Sequence, residues 1–426
     1  MKAVISNRIY LDGLNFEEKE SIRKELTYLF KSAANPSSSY AQVDKVINYK
    51  NIGGVLSIPQ VRTDLIPEYY SVIDKRITVP AEIHVPKIEL YDNQVEIYDK
   101  VEDNCIILAK PGWGKTFTAL WLAYKFQCKT LIISPNTFIR DMWLAEIEKL
   151  FDFPAGRVQT TFREMDSPVV ATNIQAIRKM GEDLSKEFGL IIVDECHRTV
   201  ADSYTNFLNK SYARYKIGLT GTLERKDSKH TLTQDYFGKV VHKAAEANTM
   251  APEVHIIKTD WRLAQGKDWV KRINELAYNQ EYLEFIASVA AAYIYQGHKV
   301  LIISERVEFS ERMAAILPKC EAITGSIGDR KQISEDMLAG KLNAIVATRS
   351  IFSEGISINN LSTLILAFPS SNDPNLEQLC GRVQRTFTGK DKAVVVDIHF
   401  ASNAEQRQAL GRLEVYKRKG WEIKVV

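Results

Sequence analysis

Two textures of apolar and polar positions alternate along most of the chain. From about residue 82 onward, short runs that are apolar at nearly every position separate helix-length stretches whose apolar residues recur every three or four positions. Cys105-Ile-Ile-Leu-Ala109, Thr130-Leu-Ile-Ile-Ser134, Pro168-Val-Val-Ala-Thr172 and Leu190-Ile-Ile-Val-Asp194 are four such runs. Lys299-Val-Leu-Ile-Ile-Ser304, Asn343-Ala-Ile-Val-Ala-Thr348, Thr363-Leu-Ile-Leu-Ala367 and Ala393-Val-Val-Val-Asp397 are four more. A strand that is apolar on both faces has to be covered on both faces, as in a parallel sheet with crossover helices. The pattern predicts an α/β fold with two tandem parallel-sheet domains, residues 86–245 and 250–426, joined by a linker around Lys243–Pro252. Residues 1–85 predict a small α+β module of their own. It opens with a short strand, followed by an amphipathic helix from Asn15 to Ser32 with Leu14, Ile22, Leu26 and Leu29 on one face. A polar loop, Ser32–Gln42, and extended segments at Val55–Ile58 and Arg76–Val79 complete it.

The length of 426 residues suits two or three domains, each large enough for its own core. Charged residues make up 26% and hydrophobic ones 45%, which excludes a disordered or collagenous chain. No apolar run reaches bilayer length, and the opening MKAVISNRIYLDG lacks the apolar core of a signal peptide. No membrane partner and a cytoplasmic location are therefore expected. The five cysteines show no metal-ligand spacing, so neither a zinc site nor a disulfide framework is expected. Lys and Arg number 56 against 53 Asp and Glu, a net +3 that leaves nucleic-acid binding to a local patch.

Candidate chemistry begins at Ala109-Lys-Pro-Gly-Trp-Gly-Lys-Thr116, which follows an apolar strand and opens a helix. This is close to the phosphate-binding loop, with Ala109 where the first Gly usually stands. After Pro111, which has no N–H to give, the backbone N–H groups of Gly112, Trp113 and Gly114, the permissive glycines and a helix N-terminus can cradle phosphate oxygens. Lys115 is expected to reach the β- and γ-phosphates of ATP, and Thr116 to bind Mg²⁺. A second apolar strand ends on Asp194-Glu195-Cys196-His197. C-terminal ends of parallel strands share one sheet edge, so both carboxylates are expected beside the loop. Asp194 can hold Mg²⁺, Glu195 can activate the attacking water, and His197 can couple the site to the next strand.

From Leu90 to Arg385 the ordered motifs resemble a superfamily 2 helicase. Gln94 matches the adenine-reading glutamine, and Pro135–Trp143 resembles motif Ia. Thr172-Asn-Ile-Gln175 resembles the backbone-touching T-x-Q element, and Gly218-Leu-Thr-Gly-Thr222 resembles motif III. Ile302–Arg306 takes the motif IV position, and Ala347–Ile356 resembles motif V, with Gly355 at the nucleotide. Gln378-Leu-Cys-Gly-Arg-Val-Gln-Arg385 matches motif VI. The resemblance implies two tandem RecA-like motor domains behind the N-terminal module. Arg382 and Arg385, three apart and expected on one helix face, would then act as arginine fingers. Asn136, Thr172, Gln175, Arg306 and Thr348 would contact the nucleic-acid backbone. Ser357 replaces the usual motif V Asp, and Asp-Glu-Cys-His replaces Asp-Glu-Ala-Asp, which speaks against an RNA helicase. The short layout resembles phage-encoded branch-migration helicases, which implies a monomeric motor on forked or junction DNA in recombination, repair or replication, in the host cytoplasm. An RNA helicase, and a double-stranded DNA translocase that does not separate strands, remain the alternatives.

Overall fold

In the computed structural model every one of the eight apolar runs becomes a strand of a parallel sheet. The structure describes residues 1–31, 43–110, 112–180, 183–198, 202–221, 229–244, 250–263, 268–324, 327–349, 358–370 and 374–426. The chain divides into two units, Met1–Glu246 and Ala247–Val426.

The first unit holds an N-terminal module. Its strands are β1 (Lys2–Ile5), β2 (Arg8–Leu11), β3 (Thr27–Lys31), β4 (Val43–Ile47), β5 (Lys50–Ile52), β6 (Val55–Pro59) and β7 (Ser71–Asp74). Five of them form one sheet in the order β5-β6-β2-β1-β7, and β3 and β4 pair as a separate antiparallel hairpin. Helix α1 (Phe16–Glu25) starts at a reciprocal cap, with Asn15 Oδ1 accepting from Glu18 N and Glu18 Oε2 accepting from Asn15 N. It stops at Glu25, well short of the predicted Ser32. Thr27-Tyr-Leu-Phe30 is β-branched and aromatic with period two, so pairing with β4 wins over helix propensity. Phe30 is buried while Leu29 is 67% exposed, which corrects the expectation that Leu29 shares the helix's apolar face. The predicted polar loop 32–42 lies outside the described residues.

The second sheet of this unit comprises β8 (Cys105–Leu108), β9 (Thr130–Ser134), β10 (Gly156–Val158), β11 (Arg163–Glu164), β12 (Val169–Asn173), β13 (Leu190–Asp194), β14 (Tyr215–Thr220) and β15 (Val241–Lys243). Their order is β11-β10-β12-β9-β13-β14-β8-β15, parallel throughout except at β10–β11. A buried polar hub joins module and sheet. Arg62 Nη1 lies 2.7 Å from Asp235 Oδ1, and both side chains are fully buried. Tyr28 Oη and Asn48 Nδ2 donate to the same carboxylate at 3.0 and 2.8 Å. The remaining nitrogens of Arg62 reach Asp64 and Glu25.

The second unit is built on β16 (Glu253–Lys258), β17 (Val300–Ser304), β18 (Cys320–Ile323), β19 (Ala344–Thr348), β20 (Thr363–Leu366), β21 (Val394–His399) and β22 (Ile423–Val425). The order is β18-β19-β17-β20-β21-β16-β22, all parallel. Near the C-terminus Tyr416 is fully buried and its hydroxyl donates to Asp397 Oδ2. No helix among the described residues is long and apolar enough to cross a membrane. All five cysteines are buried.

Candidate nucleotide and nucleic-acid site

In the first unit β8 and β13 are separated only by β14, so the loop after β8 and the carboxylates ending β13 meet at one sheet edge. The loop turns through Gly112 at φ +89° and Gly114 at φ +98°, conformations that favour glycine. Gly114 is the N-cap of α3 (Lys115–Phe126), whose first N–H groups face the loop's hollow. Lys115 Nζ donates to Ala109 O at 2.8 Å, folding back over the cradle it helps to form. Thr116 stands in the first turn, half-buried. Gln94 does not point into open space. Its Nε2 donates to Trp113 O at 2.8 Å, and its Oε1 accepts from Tyr91 N at 2.9 Å. It therefore braces the loop from the N-terminus of α2 (Asp92–Lys100), where a base-reading residue would sit.

Both oxygens of Asp194 are held. Oδ2 accepts from Trp143 Nε1 at 3.1 Å and Oδ1 from Glu195 N at 2.9 Å. Burial, reinforced by the Glu195 charge, pushes the Asp194 carboxyl up to about 6, against the opposing pull of Lys115 and Trp143. Two adjacent carboxylates in a poorly solvated site are a fitting donor set for a divalent cation, and Thr116 and Asp194 are the residues that would hold it beside bound phosphates. Glu195 adopts φ +52°, rare for a residue with a side chain and typical of sites where function fixes the backbone. His197 Nδ1 lies 3.2 Å from Glu195 Oε2 and 2.8 Å from Thr220 Oγ1, so the acidic box is tied to the motif III strand. Gly218 in that strand has no room for a side chain: a Cβ would sit 2.8 Å from Cys196 Sγ.

Along the same edge, Asn136 caps α4 (Thr137–Leu150) by accepting from Ile139 N at 2.9 Å. Ser134 Oγ lies 2.9 Å from both Asn136 O and Thr172 O, and Asn173 Nδ2 donates to Thr137 Oγ1 at 2.9 Å. The Asn136 and Thr172 segments are thereby fastened to each other. The Thr172 side chain is fully buried and its hydroxyl donates to Val158 O at 3.0 Å. Of the two residues of this segment expected at the nucleic-acid backbone, Thr172 thus has its side chain turned inward, and Gln175, three residues on, is exposed.

In the second unit Arg306 is the N-cap of the helix Val307–Ile316, and its guanidinium bonds Asn274 Oδ1 at 2.5 Å and Glu305 O at 2.7 Å. Thr348 ends β19 and is only 8% exposed. Arg382 lies in the last turn of the helix Pro374–Val383. Arg385 lies beyond that helix, so the two arginines do not share one helix face. Beyond the helix, Gln384 O accepts from Met250 N at 2.8 Å. Arg385 Nη1 bonds Asn359 Oδ1 at 2.9 Å, and burial lowers its pKa. Lys390 Nζ donates to Val383 O and Arg385 O at 2.5 and 2.6 Å, clamping the turn. Pro111, Thr222, Gly355 and most of motif V lie outside the described residues. Trp143, Asn359 and Lys390 were not legible as site residues: a tryptophan in an amphipathic helix reads as core, and the other two gain meaning only through contacts distant in sequence.

Residues 82–225 match the family model of the type III restriction enzyme res subunit, and residues 283–387 match the helicase conserved C-terminal domain. The chain is 41% identical over 438 residues to the probable helicase D10 of Escherichia phage T5, covering 99% of this chain and 95% of that one. It is 24% identical over 398 residues to the DNA 3'-5' translocase XPB2 of Sulfurisphaera tokodaii, covering 81% and 88%. Among solved structures, Mss116p bound to ssRNA and AMP-PNP resembles it with a TM-score of 0.57 at 14% identity, covering 79% of this chain and 74% of that one.

Proposed function

Since the chain belongs to the superfamily 2 helicases and is a nucleic-acid-dependent ATPase with two tandem RecA-like domains, we propose that it is a DNA motor acting on forked and junction DNA. In this role Lys115 and the loop hold the triphosphate, Thr116 and Asp194 hold Mg²⁺, and Glu195 orients and deprotonates the attacking water. Mg²⁺ supplies charge neutralisation between the phosphates when bound. Arg382 and Arg385 of the second unit supply the guanidinium charge at the γ-phosphate, so that hydrolysis depends on closure and closure drives stepping.

Support for DNA comes from the XPB2 relative, described as a DNA translocase, while a fold shared with an RNA-bound protein leaves backbone recognition common to both. The single observation that carries the branched substrate is the buried Arg62–Asp235 hub. A module locked to the first motor domain can hold one arm of a junction while the motor pulls another. Branch migration would place the protein in recombination, repair or replication.

ATP hydrolysis measured with single-stranded DNA, duplex, fork, four-way junction and RNA, with strand displacement followed in parallel, tests this. Forks and junctions are expected to stimulate most and to be unwound. Stimulation by RNA alone would overturn the assignment, and triplex displacement without strand separation would favour a duplex translocase.

A further inference from the structure

Resting on the assignment of Asp194 to the metal, we propose that Trp143 is a positioning residue of the ATPase, its indole N–H setting the orientation of the Asp194 carboxylate. Trp143 is 2% exposed and, with Leu144, Ile147 and Leu150, is one of the buried residues of α4. Packing alone would be served by any large apolar ring. The indole adds one feature: Nε1 donates to Asp194 Oδ2 at 3.1 Å.

The second oxygen accepts from Glu195 N at 2.9 Å, so the carboxylate is held by donors from two separate elements and its plane cannot rotate freely. Tryptophan suits this task because it offers one donor and no acceptor. It fixes an anion without offering a lone pair that competes for the cation. The remaining lone pairs of both oxygens stay available to metal-bound water. The residue lies seven positions after Asn136, about two turns along the helix whose N-cap carries the Ser134–Thr172 fastening.

The test uses the full chain with Trp143→Phe, which keeps the apolar ring and deletes the N–H. Binding of Mn²⁺, as a paramagnetic stand-in for Mg²⁺, is followed by electron paramagnetic resonance with a non-hydrolysable ATP analogue present. Steady-state kcat and KM for ATP are measured alongside. Mn²⁺ affinity and kcat are expected to fall roughly tenfold, as for loss of one hydrogen bond to a charged group, with KM for ATP changed less than twofold. Trp143→His, which keeps a ring donor, is expected to recover part of both losses. Where the phenylalanine variant does not fold, Trp143→Leu makes the same comparison.

Asp194→Asn separates the two possible failures. If it binds Mn²⁺ and turns over like the native protein, the assignment of Asp194 fails and the inference fails with it. If Asp194→Asn is impaired while the donor-free variants at 143 match the native protein, Trp143 only packs, and this inference alone is overturned.

Discussion

The side-chain amide of Gln94 lies so close to the phosphate loop that a Cβ built on Gly114 would stand 2.2 Å from Nε2. At φ +98° the backbone of Gly114 also disfavours any side chain. The loop is thus shaped from two sides, by its own glycines and by a glutamine twenty positions earlier in the chain. Gly114→Ala is expected to displace Gln94, open the loop and weaken ATP binding at least roughly tenfold, with about 1 kcal/mol or more of backbone strain. Titration with a fluorescent ATP analogue reads the first, and urea denaturation the second. Native affinity in the variant would show that the brace has no part in nucleotide binding.

Asp235 offers a second test, this time of the junction between module and motor. With Arg62, Tyr28 and Asn48 all directed at its carboxylate, Asp235→Ala leaves a guanidinium buried without its main counter-charge. Loss of one partner from a buried pair costs about 3–5 kcal/mol. The urea midpoint is expected to fall accordingly, and limited proteolysis should cut between module and motor. A variant as stable as the native chain would contradict the hub's role in joining them.

Lys216, on β14, supplies a pH signature. Burial lowers its pKa from 10.5 to about 7, with Arg76 and Arg8 adding repulsion, and Nζ donates to Leu208 O and Ser211 O. Between about pH 7 and 10 the unfolded chain binds a proton that the folded chain does not, so this residue makes stability rise with pH. Comparing pH 7 with pH 9, Lys216→Met is expected to remove about 2–3 kcal/mol of that rise. Parallel urea-midpoint profiles for native and variant would contradict the assignment.

The parts of this architecture that were legible in the sequence are those encoded locally. Leu190–Asp194 announces a buried strand ending in acid, and Gly112–Thr116 announces a phosphate loop, because each needs only its own residues and period. What escaped is decided by distant partners. Thr27–Lys31 continues an apparent helix until Val43–Ile47 pairs with it. Thr172 looks like a contact residue until the Val158 carbonyl claims its hydroxyl. Arg385 keeps the spacing of a helix that ends at Val383, and the Gln384 carbonyl beside it is met by Met250, distant in sequence. Asp235, 173 positions from Arg62, carries no local sign of being a hub.

Under the proposed function, hydrolysis needs the motif VI arginines as well as Glu195. The most direct measurement is the kcat of nucleic-acid-stimulated ATP hydrolysis by Arg385→Ala. Loss of an arginine finger is expected to lower it by about 10³-fold or more, with ATP binding weakened far less. A variant that hydrolyses ATP within twofold of the native rate would contradict the account.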